Sequence, residues 1–188
     1  MTLIADRHAT TEPGFDTVKL VLAGPVGAGK STALRALADS EPVSTEMPLL
    51  DGPMGDKTTT TVALDFATVW LEDETPLFVY GLPGQAHFAF MRHIVLEGAL
   101  GVVLVLNAAE ADCAEQCGEW LTSLREIAPD VGIVIGLTHA DQAPDFSLGA
   151  IRQVLRARSE RLPVFTFDAR EREETTQLVR ALLVGLAA

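Results

Sequence analysis

Between Gly24 and Ser31 the chain reads Gly-Pro-Val-Gly-Ala-Gly-Lys-Ser, a G-x-x-x-x-G-K-S spacing with Thr32 directly after it. A turn this poor in side chains can wrap backbone N–H groups around a polyphosphate, and Gly24, Gly27, Ala28 and Gly29 supply that freedom here. A helix starting at its end points its positive pole at the same anion. Lys30 would then reach the β- and γ-phosphates, and the Ser31 hydroxyl would sit on Mg²⁺. The spacing points to a nucleoside triphosphate, and leaves open which base it carries and what becomes of the phosphate.

Such a loop needs a strand before it and a helix after it. An apolar run over 17–23 and a helical pattern over 31–38 supply both. Beyond them, 62–70 and 76–80 read as a hairpin across the acidic turn Glu72–Asp73–Glu74. The continuous apolar runs 101–107, 132–138 and 162–167 are those of strands buried on both faces. Helical stretches fall at 88–99, 111–128, 147–158 and 171–186. The α/β succession predicts a six-stranded, mostly parallel sheet with one antiparallel hairpin strand and helices on both faces. Residues 41–60 hold Pro42, Pro48, Gly52, Pro53 and Gly55, too many breakers for a regular element, and read as a long functional loop. Residues 1–16 read as a loose leader before a single domain over 17–188.

The net charge of −12, from 26 acidic and 14 basic residues, argues against nucleic acid or an anionic lipid surface as the main partner. No stretch approaches the roughly 20 apolar residues of a membrane span, so a cytoplasmic protein without direct membrane insertion is expected. Cys113 and Cys117, four apart on an apolar stripe with Trp120, Leu121 and Leu124, read as buried reduced thiols.

Ligands of such sheets sit at the carboxyl ends of the strands. There the chain has Gly81-Leu82-Pro83-Gly84-Gln85, Asn107, Thr138-His139-Ala140-Asp141 and Asp168-Ala169-Arg170, besides the threonine run 58–61. In order and spacing these resemble the small Ras-like GTPases, P-loop NTPases. The resemblance is closest to a bacterial branch: the gliding-motility polarity GTPases of myxobacteria and the GTPases of actinobacterial conservon operons.

The resemblance implies GTP/GDP with Mg²⁺ as cofactors. Asp141 would accept N1–H and N2–H₂ of guanine, a donor pair adenine lacks, although the position also suits a turn capper. Thr138 and His139 stand where the family has Asn and Lys, and the Ala169 N–H, between Asp168 and Arg170, would meet the guanine carbonyl. Thr61 matches the mobile threonine that ligates Mg²⁺, or is simply β-prone. Gly84 would give its N–H to the γ-phosphate and Gln85 would orient the attacking water.

Two departures bear on mechanism. Gly81 replaces the aspartate that usually holds a Mg²⁺ water; Asp65 on the neighbouring strand could supply that charge or serve another partner. Thr60 stands where the myxobacterial relative has an arginine finger, with Lys57 and Arg92 as nearby cations. The expectation is a slow GTP-hydrolysing switch whose state a protein partner reads in bacterial signalling or polarity. The resemblance implies a roadblock-type regulator and recruitment to a membrane-bound, histidine-kinase-like sensor. A non-hydrolysing nucleotide-binding scaffold and a small-molecule kinase or ATPase are the alternatives; against a kinase, 41–60 holds Lys57 but no arginine. Arg152, Arg156, Arg158 and Arg161 form a basic strip, either a solvated face or a docking site for an acidic partner.

Overall fold

In the computed structural model, residues 18–39, 43–47, 62–70, 75–85, 88 and 90–186 are described. The leader 1–16, Lys57, Thr60 and Thr61 lie outside the described residues. The strands are β1 (Val18–Ala23), β2 (Val43–Met47), β3 (Val62–Trp70), β4 (Pro76–Gly81), β5 (Gly101–Asn107), β6 (Gly132–Thr138) and β7 (Val164–Thr166). The helices are α1 (Lys30–Leu37), α2 (Met91–Leu96), α3 (Cys113–Ile127), α4 (Leu148–Ala157) and α5 (Arg172–Leu186).

The sheet runs β2-β3-β4-β1-β5-β6-β7. β3 is antiparallel to both its neighbours, and every other pairing is parallel. The six expected strands are therefore in place, and β2 adds one more at the edge. That corrects the reading of 41–60 as free of regular structure. Pro42 and Pro48 bracket the five residues of β2 instead of interrupting them, and an edge strand tolerates proline at its ends.

The central strands are buried on both faces because helices cover both. Leu20, Leu22, Val103, Val105 and Val134 pack with Leu34 and Leu37 of α1 and Leu178 and Leu182 of α5. The opposite face carries Val102, Leu104, Ile133 and Ile135 against α2, α3 and α4. On α3 the stripe Cys113, Cys117, Trp120, Leu121 and Leu124 is buried, as its spacing requires. Burial pushes the Cys113 thiol up to about 11 and the Cys117 thiol up to about 12, so neither is a thiolate at neutral pH. α2 is shorter than its apolar pattern suggests; the chain passes Glu97 to Gly98, whose φ of +69° ends the helix. The consequence for function is positional: β1, β4, β5 and β6 all end, side by side, at one edge of a close-packed platform.

Candidate functional site

At that edge the turn after β1 is held by glycine alone. Gly24 has φ +139°, Gly27 +79° and Gly29 +96°, all in the range that L side chains avoid. A Cβ on Gly24 would lie 2.0 Å from the Val105 carbonyl oxygen, so the turn is pressed against β5. From the other side comes Gly84, where a Cβ would lie 2.4 Å from the Val26 nitrogen and 2.6 Å from the Pro25 carbonyl carbon. The turn is thus packed between β5 and the 82–85 segment at distances only glycine allows. Gln85, immediately beyond, is exposed.

Lys30, the first residue of α1, is only 9% exposed, and its ammonium donates to the Pro25 carbonyl at 2.6 Å. Burial pushes its pKa down to about 8, with the charge of Asp65 opposing the shift. Ser31, one residue on, donates its hydroxyl to the carboxylate of Asp65. Asp65 reaches it because β3 and β4 pair in a register that sets Asp65 directly opposite Gly81. A Cβ at Gly81 would come within 3.2 Å of the Asp65 Cβ, so two side chains would crowd each other there. Glycine at 81 leaves Asp65 room beside Ser31.

The ends of β6 and β7 form the other half of the site. Thr138 is buried, and its hydroxyl lies 2.9 Å from the Ala28 carbonyl and 3.2 Å from that of Leu106. Its one proton goes to those carbonyls, and its oxygen then accepts from His139 Nδ1 at 2.8 Å. His139 sits at φ +55°, with its ring tied back to Thr138. Asp141 follows in a 3₁₀ turn over Ala140–Gln142; it is exposed, and among the described residues its carboxylate makes no hydrogen bond or ion pair. It does not act as a capper. Past β7, Asp168 takes Arg170 in a forked ion pair, at 2.6 Å through Nη2, which holds its carboxyl down to about 2. Glu174 of α5 accepts the Asp168 N–H at 2.8 Å, a contact the sequence reading missed; an acidic side chain in the first turn of α5 was its signal.

These residues enclose a cavity of about 460 Å³ that includes Gly29, Thr32, Thr138, His139, Asp141, Asp168, Ala169, Arg170 and Glu174. Gly29 joins the halves: it closes the phosphate loop, and its missing Cβ would touch Thr138 Cγ2 at 3.3 Å and Ala169 Cβ at 3.4 Å. The cavity therefore adjoins the end of the phosphate loop, with Gly29 and Thr32 in its lining. Of the two nearby cations, Arg92 is turned away from it. It donates to Ser123 Oγ at 2.7 Å and stacks 4.1 Å over the Trp120 ring, both on α3.

Among the described residues no helix is long and apolar enough to cross a membrane. No family model matches the chain. It is 29% identical over 125 residues to the GTP-binding protein ypt4 of Schizosaccharomyces pombe, covering 63% of this chain and 48% of that protein. An uncharacterized protein of Methanocaldococcus jannaschii is 33% identical over 95 residues, 50% of this chain and 54% of that one. The human Ras-related protein Rab-40A-like is 29% identical over 178 residues, 89% of this chain and 58% of that protein. The chain spans about half the length of the curated relatives it matches. These likenesses support a Ras-like chain, and its fold is the P-loop fold of the small GTPases.

Proposed function

We propose that this chain is a molecular switch that binds GTP and GDP with Mg²⁺ and hydrolyses GTP slowly. The observation that carries the reading is a juxtaposition: a glycine-rich loop with a buried lysine, adjoining through Gly29 a cavity whose lining includes a carboxylate without a hydrogen bond, Asp141. The triphosphate lies in the cradle, with Gly27 to Thr32 around it and the Gly84 N–H on its last phosphate. Lys30 exchanges the Pro25 carbonyl for phosphate oxygens. The donors beside it suit a hard cation: the Ser31 hydroxyl, together with the Asp65 carboxylate in the place Gly81 leaves empty, with Thr61 added in the GTP state. Bound there, Mg²⁺ neutralises charge on the β- and γ-phosphates. At the base end, Asp141 accepts from guanine, the Ala169 N–H meets its carbonyl, and Thr138, His139, Asp168 and Arg170 shape the walls.

Gln85 holds a water in line with the γ-phosphorus. The water oxygen bonds to phosphorus, the bond to the β–γ bridging oxygen breaks, and GDP and inorganic phosphate leave. Slow turnover is supported by Arg92 of α2, whose guanidinium is held by Ser123 and Trp120 of α3, away from the phosphate loop; an added arginine finger is worth about 10³–10⁵ in rate. A roadblock-type regulator in a bacterial signalling or polarity system would supply what is missing and read the ordered state. Recruitment to a membrane sensor complex would follow from such a partner.

The deciding experiment titrates the full chain with GTP, GDP and ATP, with and without Mg²⁺, while following phosphate release. The expected result is guanine preference that Asp141→Ala abolishes, and slow release that Gln85→Ala slows further at unchanged GTP affinity. Asp65→Asn should weaken GTP binding about 10- to 100-fold with Mg²⁺ and far less without it. ATP binding as tightly as GTP would overturn the base assignment, and guanine binding without any release would leave a scaffold.

A further inference from the structure

Four of the chain's fourteen basic residues fall within 152–161, in a protein with 26 acidic ones. α4 buries Ile151 and Leu155, which leaves Arg152 and Arg156 exposed one turn apart, with Arg158 and Arg161 exposed just past its end. Among the described residues none of these four side chains makes a hydrogen bond or an ion pair. Three arginines elsewhere hold carboxylates: Arg125 holds Glu160, Arg170 holds Asp168 and Arg172 holds Asp39. The acidic residue inside the strip, Glu160, is the one spent on Arg125 and unavailable to its neighbours.

Arg158 adds a positional observation. It lies across α3 where Gly118 has no side chain, and a Cβ there would be 2.6 Å from Arg158 Nη2 and 3.0 Å from Cζ. The guanidinium is held against the helix by a notch in it, while its donors stay unspent. Like charges one turn apart oppose the helix that carries them, so the pairing of Arg152 with Arg156 does not itself support α4. All four are arginine and none is lysine, which fits forked recognition of carboxylates better than a diffuse positive charge does.

We propose that this strip is a docking surface for a short carboxylate-rich segment of a partner protein. Its local character argues for a peptide over a bilayer or a nucleic acid. The remainder of the chain is more negative than the whole, and with screening over only about 10 Å an extended anionic surface would meet those acidic faces as well as the strip. A segment a few residues long meets the arginines alone. Arg158, already in place, loses little side-chain freedom on binding. The inference is independent of the nucleotide reading.

The test is fluorescence anisotropy of a labelled short peptide alternating Glu and Ala, titrated with the full chain at about 0.1 M salt. Three proteins are compared: the unaltered chain, Arg152→Glu with Arg156→Glu, and Gly118→Ala, which keeps every charge and displaces only Arg158. Charge reversal should lower affinity at least ~10-fold and Gly118→Ala about threefold, with neither lowering the melting temperature, since alanine suits a helix interior better than glycine. Equal affinity in all three proteins would overturn the proposal. So would a loss confined to charge reversal, which would mean diffuse attraction without a built surface. Tighter binding to phosphatidylglycerol vesicles or a single-stranded oligonucleotide than to the peptide would overturn it in favour of those anions.

Discussion

At the phosphate-loop end of the site glycine backbone is closely packed beside a buried lysine, and at the β6–β7 end exposed side chains line the cavity. Gly24 is pressed against Val105, Gly84 against the backbone of Pro25 and Val26, and Lys30 is buried, whereas Asp141 is exposed and Arg170 is 75% exposed in its pair with Asp168. The difference fits the proposed ligand. A polyphosphate presents the same oxygens whatever its base, so a fixed cage of N–H groups suffices. A base must be told from its rivals, and that takes groups left unpaired until the right one arrives. On the proposed reading, one end is closely packed because its target does not vary, and the other is open because its target must be chosen.

Substitutions should respect that contrast. The largest effect is expected from Gly24→Ala, which forces a Cβ to 2.0 Å from the Val105 oxygen at a φ of +139°. It should cost about 3 kcal/mol or more in chemical denaturation, before any ligand is added. A loss well under 1 kcal/mol would show that the cage yields and is no more rigid than the base end.

A smaller, pH-dependent effect belongs to Lys30. Its folded pKa of about 8 lies below its ordinary 10.5, so between those values the unfolded chain holds a proton that the folded one has released. Stability of the nucleotide-free protein should therefore rise with pH across that window by a component that Lys30→Met lacks. The full deficit is present below pH about 8 and is relieved above about 10.5. Denaturation curves of both proteins from pH 8 to 10 measure it, and identical slopes would place Lys30 in water.

The smallest effect is expected at the base end. Arg170→Ala should leave the melting temperature unchanged, because the pair stands in solvent, while the Asp168 carboxyl returns from about 2 toward its ordinary 3.8 in an NMR titration. A drop in melting temperature comparable with that of Gly24→Ala would erase the distinction between the two ends.

The contrast also explains what could be read from residue order. The cradle was legible because its requirement is local: glycines at fixed spacing, a strand before and a helix after. Asp141, Thr138 and Asp168 were found by a topological rule, that strand ends converge, without knowledge of any contact. The Ser31–Asp65 bond spans 34 residues and depends on the register of β3 on β4, which sequence alone leaves open; Asp65 could be named as a candidate but not paired. β2 was hidden by its flanking prolines, and Arg92 could not be assigned to Ser123 and Trp120 before α2 was known to pack on α3.

The Thr138 hydroxyl touches the Ala28 carbonyl of the phosphate loop and carries His139 of the base loop on its own oxygen. One hydroxyl is therefore a shared bearing for two recognition events. With the proposed nucleotide bound, a displacement of Ala28 by its phosphates would reach His139 through this hydroxyl, and a displacement of His139 would reach Ala28. Thermodynamic reciprocity makes the exchange even-handed: if the count of phosphates changes the affinity for the base, the base changes the affinity for the last phosphate by the same factor.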